Sequence, residues 1–194
     1  MHKLGAKLTI IGVSSLLGML ACGGSQPSAQ APAAPPPAAE PAPAPGASAK
    51  TVQATFQAKS GSSLAGTATL TEVPEGVKAV VSLENLSPGE HGIHVHEKGD
   101  CSAADGSSAG GHFNPAGSPH ALPANAPHHL GDWGNINVGA DGKGTLEIVV
   151  PGANLKEGDP NSYLGRAIIV HEKVDDGGQP TGNAGGRIGC AEIK

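Results

Sequence analysis

From residue 51 to the C-terminus, apolar and polar positions alternate in short runs, and nowhere is the 3.6-residue apolar repeat of a helix sustained. The runs 52–58, 64–73, 77–83, 92–97, 133–138, 144–150, 167–171 and 188–193 are the predicted strands. Turn chemistry separates several of them, as in Pro74-Glu75-Gly76, Ser87-Pro88-Gly89 and Ala140-Asp141-Gly142-Lys143-Gly144. The expected fold is all-β: an eight-stranded antiparallel Greek-key β-sandwich or flattened barrel. Two long loops, 98–132 and 172–187, interrupt it, and loops of that length are uncommon unless functional or pinned.

Residues 1–50 do not fit that pattern. Lys3 and Lys7 precede an apolar run from Leu8 to Leu20 that ends in Ala21-Cys22-Gly23, which reads as an export signal and is too short for a comfortable membrane span. Met19-Leu20-Ala21-Cys22 resembles the lipobox of bacterial lipoproteins, which implies cleavage before Cys22 and a lipid anchor on it. Residues 23–50 hold 10 alanines and 8 prolines and cannot bury apolar surface, so they should form an extended tether of up to about 90 Å at about 3.1 Å per residue. The expected organisation is a lipoprotein signal peptide over 1–21, a lipid-anchored Ala/Pro-rich linker over 22–50 and one folded domain over 51–194. The expected location is the periplasm or cell envelope at a membrane. Gly23, in place of the aspartate that retains some enterobacterial lipoproteins at the inner membrane, favours the outer one.

Cysteine usage agrees with export. Of three cysteines, lipidation of Cys22 leaves Cys101 and Cys190, for which an oxidising compartment permits a disulfide. The closed loop would be worth on the order of 4 to 5 kcal/mol in the chain-entropy account. Only Phe56, Phe113, Trp133 and Tyr163 are aromatic, so aliphatic side chains must fill the core. The folded region carries 9 Lys plus Arg against 16 Asp plus Glu. Such an acidic domain is not expected to bind nucleic acid, and overall charge would repel an anionic substrate.

The chemistry lies in the histidines. His94 and His96 are two apart on a predicted strand, so both project from one face while Ile93 and Val95 point to the other. Taken alone, the pair suits a metal or a solvated strand face equally. His112, His120 and His129-x-x-Asp132 fall in the first long loop, where three imidazoles and a carboxylate would suit tetrahedral zinc. His171 ends an apolar strand and could return to His94 and His96. Seven ligands fill two four-coordinate sites only if one is shared, and an imidazole has two nitrogens with which to bridge.

Five blocks then resemble the copper/zinc superoxide dismutases: His91-Gly92-Ile93-His94-Val95-His96-Glu97, Gly111-His112-Phe113-Asn114-Pro115, His129-Leu130-Gly131-Asp132-Trp133-Gly134-Asn135, Val170-His171-Glu172-Lys173, and Gly182-Asn183-Ala184-Gly185-Gly186-Arg187. The resemblance spans residues 51–194, in order and spacing, and is to the bacterial exported form. It implies one copper per subunit on His94, His96, His112 and His171, and one zinc on His112, His120, His129 and Asp132. It implies that Asp175 hydrogen-bonds His94 and His120, that Arg187 binds superoxide, and that Cys101 and Cys190 form the family disulfide. His91 matches a framework histidine, and His128 has no assigned role. The implied activity is dismutation of superoxide to oxygen and hydrogen peroxide by alternating reduction and oxidation of copper. Zinc would be structural, and His112 would be both bridge and proton donor. The second loop lacks an evident steering cluster beyond Lys173 and Arg187, and a homodimer is left open. The rival from another class is an exported copper/zinc buffer or carrier, which needs neither Arg187 nor a shared His112.

Overall fold

The computed structural model describes residues 49–194, so the expectations for the export signal, for Cys22 and for nearly all of the linker lie outside the described residues. Nine strands form one antiparallel sheet: β1 (Thr51–Thr55), β2 (Gln57–Ala58), β3 (Ala65–Val73), β4 (Gly76–Glu84), β5 (Gly89–His96), β6 (Asp132–Val138), β7 (Gly144–Pro151), β8 (Arg166–His171) and β9 (Arg187–Ile193). Their lateral order is β1-β3-β4-β7-β6-β5-β8-β9-β2. The out-of-sequence neighbours β4–β7 and β5–β8 are the Greek-key crossovers.

The ninth strand has a physical origin in Phe56. The run 52–58 was expected to be one strand, but the chain pairs with β3 up to Thr55 and with β9 from Gln57. Phe56, buried between the two halves, carries the chain from one edge of the sheet to the other and nearly closes the barrel. Edge strands with free backbone groups invite association, and this crossing covers the outer edges of β3 and β9 with β1 and the two-residue β2.

Alternation works as predicted on the closed face. Val77, Ala79, Val81 and Leu83 point inward from β4 while Lys78, Val80 and Ser82 face outward, where Lys78 pairs with Glu147 at 2.7 Å. The core is aliphatic, with Leu70, Ile93, Val95, Ile136, Ile168 and Ile193 among its fully buried members. Its two largest polar tips are satisfied: Trp133 Nε1 donates to the Tyr163 hydroxyl at 3.2 Å, and that hydroxyl donates to Leu130 O at 2.7 Å.

The first loop is laid along β5 by backbone hydrogen bonds. Val95 N–H donates to Gly131 O, Phe113 N–H to Val95 O and Gly131 N–H to Phe113 O, all at 2.8 to 2.9 Å. This approach requires glycine at 131, where a Cβ would stand 2.2 Å from Val95 O. The start of the loop is tied by the Cys101–Cys190 disulfide, which joins it to β9. One 3₁₀ turn, Ser107–Ala109, is the loop's regular structure, and no α-helix occurs among the described residues.

Candidate metal centre

Strand β5 delivers His94 and His96 to the face opposite Ile93 and Val95, and all four are fully buried because the first loop covers the histidine side. His112 lies against His96 through an isolated bridge between loop and strand. His171 is the last residue of β8, one position past a register shift that turns it toward the same cluster. His120 and His129 come from the loop, and Asp132 opens β6. The chain thus assembles two quartets, His94/His96/His112/His171 and His112/His120/His129/Asp132, each with one ligand atom per residue within 4.8 Å of the others. His112 is in both.

The pattern of satisfied and unsatisfied nitrogens tells the quartets apart from an ordinary polar core. His94 Nε2 donates to Asp175 Oδ2 at 2.7 Å, His96 Nδ1 to Gly110 O at 3.0 Å and His171 Nδ1 to Gly185 O at 3.2 Å. Those partners only accept, so each ring carries its proton on the outer nitrogen. The inner nitrogens, His94 Nδ1, His96 Nε2, His112 Nε2 and His171 Nε2, are buried lone pairs without a partner. Buried polar atoms are nearly always paired, and four converging exceptions are what a metal-ligand set looks like once its outer partners are in place.

In the second quartet the ligand atoms face one another. His112 Nδ1, His120 Nδ1 and His129 Nδ1 stand 2.9, 3.0 and 3.1 Å from Asp132 carboxylate oxygens, and His129 Nδ1 is 3.4 Å from His112 Nδ1. His120 Nδ1 is out of line for a hydrogen bond despite its distance. Metal bonds of about 2.0 to 2.1 Å at tetrahedral angles put neighbouring ligand atoms about 3.3 Å apart, a spacing that these contacts of 2.9 to 3.4 Å approach.

Asp175, in the second loop, joins the quartets. Its Oδ2 holds His94, and its Oδ1 accepts from His120 Nε2 at 3.0 Å and from Gly177 N–H at 2.8 Å. Gly182, at φ +78°, makes the room, since a Cβ there would lie 2.0 Å from Asp175 Oδ1. Asp175→Ala should lower affinity for metal at both quartets by about 10- to 100-fold, the usual effect of removing an outer partner. Metal titration of the purified variant checks this, and loss at one quartet only would contradict it.

Sequence reasoning missed three parts of this scaffold. Asn135 clamps the Asp175 backbone, Nδ2 donating to Asp175 O at 2.9 Å and Oδ1 accepting from its N–H at 2.7 Å. Gln179 does the same for His120, Nε2 donating to His120 O at 2.6 Å and Oε1 accepting from its N–H at 3.3 Å. Gly110 offers one carbonyl to both His96 and the half-buried Arg187, whose Nη2 donates to it at 2.7 Å while Nη1 donates to Gly106 O at 2.8 Å. Asn135 stood inside a quoted block, but backbone acceptors and amide clamps depend on loop path and leave no spacing to read. His91 bridges Ser87 O and His171 O at 2.9 Å each, a framework position, whereas His128 contacts only the His129 carbonyl and joins neither quartet.

Burial keeps His94, His96 and His171 neutral. It lowers His94 to about 4 and His171 to about 3, against an ordinary value near 6.5, and holds His96 well below that value. Burial would raise the Asp132 carboxyl, but the His112 hydrogen bond with the charges of His120 and His129 outweighs it and brings the group to about 2. A histidine depressed in the fold is protonated first in the unfolded chain, so acid favours unfolding. Stability of the metal-free protein should be intact above pH 6.5, fall from there toward pH 4 and 3 as the unfolded chain's histidines take up protons that the folded ones do not, and fall further from pH 3.8 toward 2 as Asp132 is protonated first in the unfolded chain. Urea midpoints across pH 3 to 7.5 measure this, and a midpoint constant from 7 to 4 would contradict it.

A family model described as copper/zinc superoxide dismutase (SODC) matches residues 64–193. Among solved structures, a double mutant of a SOD-like protein from Bacillus subtilis is 39% identical, over 73% of this chain and 95% of that one, with a TM-score of 0.65. A SOD-like protein from Bacillus subtilis is 36% identical over 73% and 97%, also with a TM-score of 0.65. The clock protein EA4 is 36% identical over 74% and 92%, with a TM-score of 0.67.

Proposed function

Since the chain belongs to the copper/zinc superoxide dismutase family, we propose that it dismutates superoxide, two superoxide anions and two protons giving oxygen and hydrogen peroxide, at the paired quartets joined by His112. The observation that carries this reading is the set of four unpartnered inner nitrogens beside a second quartet, its ligand atoms within 4.8 Å of one another, that shares one ring with them. The donor sets fit the two ions: copper would be held by His94 Nδ1, His96 Nε2, His112 Nε2 and His171 Nε2, and zinc by His112 Nδ1, His120 Nδ1, His129 Nδ1 and Asp132. When bound, copper supplies one-electron oxidation and reduction, and zinc supplies charge and fixed geometry without redox change.

The residues do the rest. Arg187 receives the anion, its guanidinium oriented by the Gly106 and Gly110 carbonyls and charged because burial lowers its pKa only from the strongly basic value of an arginine. An acidic domain cannot attract superoxide globally, so this local positive group at the quartet must do so. Asp175 fixes the His94 and His120 rings. His112 Nε2 would serve as a ligand in one half of the cycle and, once free of the metal, would hold a proton there in the other half and pass it to the peroxide being formed, while its Nδ1 stays with the second quartet.

In copper- and zinc-loaded protein, Arg187→Ala should lower the rate of superoxide consumption about tenfold, within the range of local electrostatic capture, with metal content unchanged. A loaded wild type that consumes superoxide no faster than the metal-free chain would instead be a metal carrier.

The same reading places the enzyme in the cell envelope. The 1–21 signal would be removed, Cys22 would carry the lipid, and the 22–50 linker would hold the 51–194 domain off the outer membrane. Replacement of Cys22 by serine should release the protein from the membrane fraction, and unchanged membrane association would refute the anchor.

A further inference from the structure

Ahead of the residues that match the family model lies a four-residue turn, 59–62, that grips Arg187 from two sides. Ser62 N–H donates to Lys59 O at 2.9 Å, with Ser60 and Gly61 at φ of 52° and 75°, the geometry of a tight primed turn. On one side it holds the start of β9. Ser60 Oγ donates to Arg187 O at 2.7 Å, and Lys59 N–H and Ser62 Oγ both donate to Ile188 O, at 3.0 and 2.6 Å. On the other side it holds the first loop. Ser60 N–H donates to Ala104 O at 2.8 Å, and the Lys59 ammonium donates to the Cys101 carbonyl. Those two carbonyls open the stretch whose Gly106 and Gly110 carbonyls bind the Arg187 guanidinium.

Lys59 is unusual among the charged residues here. It is 7% exposed, and its ammonium is held by neutral oxygens, the Cys101 carbonyl and Gln57 Oε1 at 3.4 Å. Burying a charge without a counter-ion is costly, so packing alone would favour an apolar side chain at this position. Its stem and that of Arg187 pack against the same glycine: a Cβ on Gly106 would lie 3.3 Å from Arg187 Cβ and 3.7 Å from Lys59 Cγ.

We propose that Lys59 and Ser60 are positioning residues for Arg187, the ammonium pinning the loop at Cys101 and the hydroxyl pinning the arginine's own carbonyl, so that the guanidinium is held where it receives a small anion. This rests on the reading of Arg187 given above. It extends the anion site to a segment outside the family match.

Azide, a small monovalent anion, is the probe. Its affinity is titrated optically on copper- and zinc-loaded wild type, Lys59→Met, Lys59→Arg, Ser60→Gly, Arg187→Ala and the Lys59→Met/Arg187→Ala double variant. Arg187→Ala should weaken azide about tenfold, as loss of a charge-assisted hydrogen bond does. Lys59→Met should weaken it about fivefold with both metals retained, Ser60→Gly about threefold, and Lys59→Arg should restore most of the loss, in the range of coupling between contacting residues. In the Arg187→Ala background, Lys59→Met should change nothing further. Wild-type affinity in Lys59→Met and Ser60→Gly, beside a weakened Arg187→Ala, overturns the proposal alone. An equal loss from Lys59→Met in both backgrounds overturns it too, because the ammonium then acts as an independent charge. Unchanged affinity in Arg187→Ala refutes the anion-site reading itself, and the proposal falls with it. Should Lys59→Met fail to take up metal, Ser60→Gly decides: a threefold loss supports the proposal and wild-type affinity overturns it.

Discussion

Replacing His171 by alanine should abolish the proposed superoxide consumption and leave the zinc assigned to the second quartet bound. His171 belongs only to the first quartet, its Nδ1 anchored on Gly185 O and its buried Nε2 aimed inward without a partner. Alanine removes one of the four donors of the first quartet and leaves all four residues of the second, together with the Asp175 hydrogen bond to His120, in place. The expected result is activity at the level of copper-free protein with one zinc per chain. Metal analysis and a superoxide-consumption assay on the same preparation check it. Activity equal to wild type would end the dismutase reading, and joint loss of zinc would mean that the quartets are not separable in this way.

His112→Ala should do what no other single ligand change does, which is to lose both ions. Its ring is the one residue common to the two quartets, with Nδ1 2.9 Å from Asp132 Oδ1 and Nε2 buried and unpartnered on the other side. The loss at each site should exceed the roughly 10- to 100-fold that removal of an outer partner costs, because a direct ligand goes from each. The variant should also lose the stability that bound metal contributes by mass action, so its melting temperature should cease to respond to added copper and zinc. Retention of either ion at wild-type affinity would contradict the shared role. Comparison with His171→Ala separates a bridging ring from an ordinary copper ligand.

How much of this was legible in the residues differs between the framework and the site. Strands follow from alternation, and seven of the eight predicted runs coincide with single strands to within a few residues. The eighth divides because Phe56 must be buried where the barrel closes, and alternation within 52–58 does not record that its two halves pair with different neighbours. His94 and His96 were legible as a pair on one face because a strand has a period of two. The loop histidines carry no such period; their residue types with Asp132 suited a zinc site, and the family resemblance supplied His112 as the shared member. What stayed hidden depends on where loops run. Gln179 and Asn135 read as ordinary loop and strand amides, yet each hydrogen-bonds both backbone groups of a residue in the site. Gly110 matters through its carbonyl, which no side-chain pattern encodes. Lys59 reads as a surface charge after a short strand and is buried only because the disulfide loop folds over it.

Diffraction from crystals of the copper- and zinc-loaded protein, recorded at the absorption edges of the two metals, tests the central claim most directly. The account predicts copper within about 2.1 Å of His112 Nε2 and zinc within about 2.1 Å of His112 Nδ1. A His112 ring touching one ion or neither would contradict it.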